Sequence, residues 1–437
     1  MTNTIISRDP NVTPPLAQAV PLGLQHVLAM FASNVTPSII IAGAAGFAFG
    51  SVETVYLVQM AMLFAGVATL FQTVGIGPVG ARLPIMQGTS FAFVSVLATI
   101  AATQGMSVVI GAVVIAGIGH FLLGAVIGKL KFLFPPLVTG LVITTIGLYL
   151  IPVGIKYAAG GAAKFQMEAE SFGSLMHWSV ALTVIIVALG VKFFTKGVMS
   201  AAAVLIGLIA GYLVALAQGM VSFGAVAKAS WFALPQPFSF GFEVEIGAVI
   251  AVFLVAMVSA IETVGDTSAV AKGGAGREAT DKEIAGATYA DGLGSAVAGV
   301  FGGLPNTSFS QNVGIVAMTG VMSRHVVTIG AIFLIICGLV PKIGALIASM
   351  PLPVLGGGVI VMFGMVVSAG LNMLGEVKMN RRNMVIIALS LSVGLGLNLV
   401  PTAVQYLPGV VKTLAVSGLL PCAMIAIILN QVLPEED

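Results

Sequence analysis

The sequence predicts an all-α polytopic membrane protein with fourteen transmembrane segments, arranged as two inverted repeats of seven. Three observations support this fold class: the composition, the number of long apolar runs and an internal repeat. Of the 437 residues, 58% are hydrophobic and only 8% are charged, whereas a soluble domain has about 25% charged residues. So few charges cannot cover a water-exposed surface of this size. A soluble enzyme, a nucleic-acid binder and a disordered chain are therefore excluded.

Apolar runs separated by glycine, proline and charged residues define the transmembrane segments. A helix needs about 20 apolar residues to cross a hydrocarbon layer about 30 Å thick. The stretch 83–128 contains no Asp, Glu, Lys or Arg and is long enough for two crossings. The predicted spans are 17–36, 52–74, 83–104, 107–128, 132–154, 177–195, 199–220, 244–270, 284–302, 306–322, 324–347, 352–374, 382–400 and 408–432.

The distribution of positive charge predicts the orientation of the chain. With the polar tail 1–16 inside, the cytoplasmic parts hold 13 Lys and Arg residues and the outer loops hold 5, which together make all 18. Lys and Arg concentrate on the cytoplasmic side of membrane proteins, so both termini are predicted to be cytoplasmic. The tail has no cleavable signal-peptide pattern, and the first segment is therefore expected to stay in the membrane.

Two short strings recur half a chain apart. Thr89-Ser90-Phe91 reappears as Thr307-Ser308-Phe309, at an offset of 218, and the string 136–143 resembles 353–360, at an offset of 217. The agreement of the two offsets favours a duplication. Because each copy holds seven segments, an odd number, the second copy enters the membrane from the opposite face, as in many secondary transporters. The predicted repeats cover residues 17–220 and 244–432.

Both Thr-Ser-Phe strings lie in segments where a regular helix is not expected. Pro84 and Gly88 flank the first string, and Gly302, Gly303 and Pro305 precede the second. Proline removes a backbone donor and glycine relaxes the backbone, while Thr and Phe favour extended structure. Interrupted segments at matching positions of two repeats indicate a binding site. The alternative is that these glycines only allow close helix packing.

Two acidic residues fall within the eighth predicted segment. Glu262 and Asp266 are four residues apart and therefore share one helix face. A carboxylate at the centre of a membrane helix costs about 2.5–3.5 kcal/mol, so the pair predicts a proton-binding site; the alternative is a solvated cytoplasmic loop. Asp291 is either a third buried acid or a helix cap. His26, inside the first segment, is either a proton carrier or a structural hydrogen-bond donor.

A polar, uncharged run, 306–314, follows the second interruption and contains Gln311 and Asn312. A side-chain amide pairs with a planar amide or imide edge, and a carboxylate at Glu262 can accept two N–H groups. Phe91 and Phe309 offer flat faces for an aromatic ring, or else pack in the core. These features predict a site for a small, flat, uncharged heterocycle rich in N–H and C=O groups, with acids nearby to couple a proton. No cofactor, no metal site and no nucleophile–base pair is expected.

The run Gln311-Asn312-Val-Gly314 followed by Thr319-Gly320 resembles the signature of the nucleobase–ascorbate transporter family. Gln25-His26, the first Thr-Ser-Phe string, the Glu262 and Asp266 pair and Asp291-Gly292 occur in the order expected for that family. The resemblance implies the fold of the bacterial uracil permease, with short strands in segments 3 and 10. It also implies a core domain of segments 1–4 and 8–11, a gate domain of segments 5–7 and 12–14, a homodimer and an elevator-like movement of the core.

The resemblance also implies roles for individual residues. Glu262 and Gln311 correspond to substrate-binding positions, and contacts to the substrate are completed around Ser90, Phe91, Phe309 and Ser310. Asp266, Asp291, His26 and Asn312 correspond to the polar network that couples a proton. Gln at 311 and Asp at 266 favour a purine over uracil.

The expectation is therefore a proton-coupled importer of xanthine or urate in the bacterial inner membrane, surrounded by lipid. Two alternatives stay open. One is a uracil or other nucleobase permease of the same fold. The other is an anion exchanger, which the acidic site disfavours.

Overall fold

The computed structural model describes residues 8–161 and 170–434. The main elements of the first half are α1 Leu16–Ala44, α2 Val52–Thr73, β1 Gln87–Thr89, α3 Val94–Gln104, α4 Met106–Leu123, α5 Pro136–Ala158, α6 Leu175–Phe194 and α7 Ala203–Ala217. Those of the second half are α8 Ile246–Val270, α9 Asp281–Val300, β2 Asn306–Ser308, α10 Ser310–Thr319, α11 Arg324–Gly338, α12 Leu352–Gly375, α13 Arg381–Leu399 and α14 Leu419–Val432.

Shorter elements join these helices. They are the short helices Ile127–Leu130, Val198–Ala201, Gly224–Lys228, Pro341–Ala348 and Gly409–Val416, the 3₁₀ turns Phe91–Phe93, Lys131–Leu133 and Pro401–Val404, and a π turn, Ala271–Ala275. Within the described ranges, eight helices are long and apolar enough to cross a membrane. The remaining segments are built from shorter pieces.

Local sequence signals set several helix ends. Ser51 caps α2, since its side chain accepts a hydrogen bond from the Thr54 backbone N–H at 3.3 Å. Thr280 and Glu283 form a reciprocal capping box at the start of α9. Pro136 begins α5. At the first position of a helix a backbone N–H has no partner within the helix, so proline costs no hydrogen bond there.

Each predicted segment has a helical counterpart, but several differ in length or continuity. α1 continues to Ala44 through Pro37, eight residues beyond the predicted end. Segment 11 is two helices, α11 and Pro341–Ala348, bent by 82°; proline starts the second helix and cannot continue the first. Segment 14 is divided at Gly418, whose φ of 75° breaks the helix.

The two predicted interruptions form a two-stranded antiparallel sheet, with Gly88 opposite Thr307 and Thr89 opposite Asn306. Adding the sequence offset of 218 takes Gly88 to Asn306 and Thr89 to Thr307. The offset therefore maps each of the two residue pairs onto the other pair. This is expected if a two-fold axis passes between the strands. The register agrees with the repeat found in the sequence, and the predicted inverted-repeat fold with short strands in segments 3 and 10 is confirmed.

The described helices pack in two groups. In the strand-bearing bundle, α1–α4 pack with α8–α11, and both strands lie among them. In the flanking bundle, α5–α7 pack with α12–α14, and the closest partners are α5 and α12. Glycines permit this contact, since a Cβ at Gly147 would lie 2.9 Å from the Phe363 carbonyl oxygen. The candidate site lies between the two bundles.

Candidate functional site

The strand pair is held in place by side chains of neighbouring helices. Asn34 of α1 accepts a hydrogen bond from the Thr89 backbone N–H at 2.8 Å and donates to the Ala61 carbonyl at 3.0 Å. At Gly88, a Cβ would lie only 2.7 Å from the Phe309 ring and from the Asn34 side chain. Glycine at this position therefore lets the Phe309 ring and the strand approach each other.

A cavity of about 280 Å³ lies where the two strands end, near the lower end of the range for small-molecule sites. The 3₁₀ turn after β1 and the helix after β2 both begin at this cavity. Helix N-termini carry partial positive charge and unpaired N–H groups. The cavity can therefore bind carbonyl oxygens or an anionic edge of a ligand. Its lining residues are Ser90, Phe91, Ala92, Ile143, Ile146, Lys192, Glu262, Thr307, Ser308, Phe309, Ser310, Gln311, Gly314, Met365, Val366 and Ala369.

Two carboxylates share one hydroxyl at the wall of this cavity. The Ser310 hydroxyl donates to Asp266 at 3.0 Å and lies 3.5 Å from a Glu262 oxygen. Both acids belong to α8, one turn apart, and Asp266 is 8% exposed. Two carboxyl groups this close, within membrane-spanning helices and largely buried, are not both ionised without a large cost. The arrangement can therefore hold a proton next to a bound ligand.

A third acid lies behind the strands. Asp291 of α9 is fully buried and accepts hydrogen bonds from the Gln87 amide and the Thr263 hydroxyl. Gln87 is the first residue of β1, and Thr263 follows Glu262 on α8. Asp291 therefore links three elements that form the site and is not a helix cap.

His26 and Asn312 form a second buried contact. The Asn312 amide nitrogen lies 3.0 Å from His26 Nδ1 and donates to the His26 backbone carbonyl at 2.9 Å. This contact joins α1 to α10, the helix that presents Ser310 and Gln311 to the cavity. His26 therefore has a structural partner, which was one of the two interpretations from the sequence.

The structure brings the predicted substrate residues together. Ser90, Phe91, Glu262, Phe309, Ser310 and Gln311 all line the cavity. Of the predicted coupling residues, Asp266 contacts Ser310, while Asp291, His26 and Asn312 lie in the buried contacts described above. Their roles in binding and coupling stay predictions.

The sequence did not indicate several neighbours of the site. Gln87, the partner of Asp291, precedes the Thr-Ser-Phe string and is a polar residue in an uncharged stretch, a signal that was available. No such signal marks the residues that the flanking bundle contributes to the cavity, which are Ile143, Ile146, Lys192, Met365, Val366 and Ala369. Five of these residues are apolar, like most of that bundle, and they reach the cavity only through the tertiary fold.

An inverted-repeat helical fold with an intramembrane cavity at two broken segments defines a multi-pass membrane permease. The chain belongs to the permease family designated Xan_ur_permease, the nucleobase–ascorbate transporter family, whose family model matches residues 17–403. This finding confirms the resemblance seen in the sequence, and members of the family are permeases rather than enzymes.

Known proteins are similar to the chain over most of its length. The uric acid permease PucK of Bacillus subtilis is 39% identical, covering 94% of this chain and 95% of the relative. The xanthine permease XanP of Escherichia coli is 34% identical, covering 97% and 93%. Among solved structures, the transmembrane domain of a cyanobacterial bicarbonate transporter, BicA, matches with a TM-score of 0.63 at 16% identity, covering 96% of this chain and 98% of that chain.

Proposed function

We propose that this protein is a proton-coupled symporter that imports an oxidised purine, xanthine or urate, by an elevator mechanism. The observation that carries the proposal is the Glu262 and Asp266 pair, bridged by Ser310 at a cavity between two broken segments. Relatives named as uric acid and xanthine permeases support the substrate class.

The cavity suits a flat heterocycle. Phe91 and Phe309 lie on its wall, one after each strand, and aromatic rings stack on flat π-systems. Glu262 can accept N–H groups of the ring, and the Gln311 amide can both donate and accept. The helix N-termini beside them favour carbonyl oxygens. An oxidised purine carries all of these groups on one plane.

The acid pair provides the coupling. An empty site that is fully ionised holds two negative charges about one helical turn apart inside the membrane, which is costly. A proton on the pair removes one of these charges. A purine that hydrogen-bonds to Glu262 then binds best when the proton is present, so that each ligand favours binding of the other.

The two bundles supply the moving parts. We assign the strand-bearing bundle to the core domain and the flanking bundle to the gate domain. Contacts between them include the Tyr149 hydroxyl donating to the Phe91 carbonyl at 3.1 Å and an edge-to-face pair of Phe91 and Phe363 with centroids 5.0 Å apart. In the predicted orientation, Tyr149 and Phe363 lie on the extracellular side of the lining residues of their own helices. The conformation is therefore inward-facing in this proposal.

Uptake of radiolabelled purines into cells that express the protein tests this function. We expect accumulation of xanthine or urate that collapses with a protonophore and does not require sodium. Glu262→Gln keeps the size of the side chain but loses its charge and its proton equilibrium, and we expect it to abolish accumulation at normal membrane levels. Sodium-dependent uptake, or unchanged accumulation by this variant, would contradict the proposal.

The fold similarity to a bicarbonate transporter keeps an anion exchanger as a second candidate. The site distinguishes the two candidates, since a small inorganic anion offers Glu262 no ring N–H edge and would be repelled by Glu262 and Asp266. Uptake of labelled bicarbonate with no purine uptake would favour this candidate. Competition by unlabelled uracil separates a pyrimidine permease of the same fold from a purine permease.

A further inference from the structure

One charged residue of the cavity wall has no role in the mechanism above. Lys192 lies in the last turn of α6 and lines the cavity, and its side chain is exposed. The other lining residues of the flanking bundle are Ile143, Ile146, Met365, Val366 and Ala369, all of which are apolar. The flanking bundle therefore contributes to the described wall a single charged group, a cation.

The backbone that carries Lys192 is fixed. Its carbonyl accepts a hydrogen bond from the Ser200 hydroxyl at 3.1 Å, and the Thr195 hydroxyl bonds to the Val191 carbonyl at 2.7 Å. α6 also packs against α7 and α12. The ammonium group therefore projects from a defined point at the edge of the cavity, while its flexible stem lets it adjust to a ligand.

The charge pattern of the cavity is polarised. Glu262, on the strand-bearing bundle, attracts N–H donors, whereas Lys192, on the flanking bundle, attracts negative charge. Two helix N-termini at the cavity add partial positive charge. A ligand that carries N–H groups on one edge and negative charge on another fits this pattern better than a neutral ring.

We propose that Lys192 is a specificity-determining residue that favours an anionic purine, urate, over neutral xanthine. This inference rests on the proposed function and names the substrate within its class. Uric acid is largely a monoanion near neutral pH and xanthine is largely neutral, although the two rings differ by a single carbonyl. A cation at the cavity edge therefore distinguishes them mainly by charge.

Equilibrium binding to the purified full-length protein tests the role of Lys192. The probes are radiolabelled urate and radiolabelled xanthine near neutral pH, with unmodified protein, Lys192→Gln and Lys192→Arg. Partly exposed charge pairs contribute modestly. We therefore expect Lys192→Gln to weaken urate binding about five-fold and to change xanthine binding less than about two-fold. Lys192→Arg keeps the charge and should preserve the ratio of the two affinities.

Lys196→Gln is the matched control. Lys196 is an exposed lysine four residues further on, just beyond the end of α6 and outside the cavity lining, so its loss should leave both affinities unchanged. Added salt should weaken urate binding to the unmodified protein more than to Lys192→Gln, because salt screens exposed charges.

The possible outcomes separate this inference from the function on which it rests. Parallel changes for both purines, or no change for either, would overturn the role of Lys192 and leave purine transport in place. If the unmodified protein binds and imports neither purine, both the proposed function and this inference fail.

Discussion

The two bundles differ in how they use polar groups. The strand-bearing bundle buries hydrogen-bonded contacts such as Asp291 with Gln87 and Asn312 with His26. The flanking bundle buries mainly aliphatic residues, and many of its polar atoms bond to their own helix, as Thr144 does to the Gly140 carbonyl at 2.7 Å. Buried polar groups need fixed partners. The first bundle is therefore specified in detail, while the second presents a largely apolar surface.

This difference suits the proposed movement of one bundle past the other. Directional bonds within a bundle keep it rigid, whereas directional bonds between bundles must break at every cycle. Among the described residues few such bonds join the bundles. One of them runs from the Ser33 hydroxyl to the Met362 sulfur at 3.0 Å, and sulfur is a weak acceptor. Apolar contact is non-directional and tolerates sliding. The flanking bundle is also largely exposed at α13, where only 17% of the most apolar stretch of the helix is buried inside the protein.

The largest effect is expected where a polar contact of the strand-bearing bundle is cut. Asp291→Ala leaves the Gln87 amide and the Thr263 hydroxyl without their acceptor, and buried groups left unpaired cost about 1–3 kcal/mol each. We expect a loss of thermal stability together with loss of uptake. Asp291→Asn keeps an acceptor oxygen and should recover most of the stability. Melting of the detergent-purified protein and uptake in cells measure the two effects.

The control for Asp291 comes from the flanking bundle. Ser390 of α13 is fully buried, and its hydroxyl has no hydrogen-bond partner among the described residues. Ser390→Ala removes no bond, so the melting temperature should stay the same or rise. If Ser390→Ala destabilises the protein as much as Asp291→Ala does, the contrast between the bundles is wrong.

Most of the fold was predictable because membrane insertion imposes simple rules. The lengths of the apolar runs and the charged residues between them predict fourteen segments. Two short recurring strings predict the repeat, and their offset matches the strand register. The errors lie where tertiary packing overrides local signals. Pro37 does not end α1, because surrounding protein can satisfy the backbone group that proline leaves unpaired. The break between α11 and the next helix has a local signal in Pro341, whereas the 82° angle between the two helices depends on packing that the sequence pattern does not show.

The candidate site was predictable only on its polar side. Buried acids, amides and broken helices stand out in an apolar sequence, so Glu262, Asp266 and Gln311 were identifiable. Residues such as Ile146 and Val366 are indistinguishable from lipid-facing neighbours until the fold places them at the cavity. The orientation rule identifies Lys192 only as one of the cytoplasmic positive charges. Its position at the cavity edge follows only from the packing of α6.

A smaller effect is expected from packing within the flanking bundle. Gly147 and Gly364 are equivalent, since 147 plus the offset of 217 is 364, yet only Gly147 lies against another helix. A Cβ there would be 2.8 Å from the Val367 backbone nitrogen, whereas a Cβ at Gly364 meets nothing within 4 Å. Gly147→Ala should destabilise the protein by about 1–3 kcal/mol through overpacking, and Gly364→Ala should be neutral or stabilising through helix propensity. Equal melting temperatures for the two variants would contradict the close contact of α5 and α12.

The smallest effect is expected at the contact between the bundles. Tyr149→Phe removes the hydrogen bond to the Phe91 carbonyl but keeps the ring. One hydrogen bond contributes about 1 kcal/mol net, which corresponds to about a five-fold shift of the conformational equilibrium away from the proposed inward-facing state. A cysteine introduced at Ile143, in the cavity, should then react more slowly with an impermeant maleimide in inside-out vesicles. Cys337 and Cys422 are buried and give little background.

The matched control is Tyr56→Phe. The Tyr56 hydroxyl bonds to the Phe301 carbonyl within the strand-bearing bundle, so its removal should leave the labelling rate unchanged. Equal rates for Tyr149→Phe and Tyr56→Phe would mean that the bond between the bundles does not bias the transport cycle.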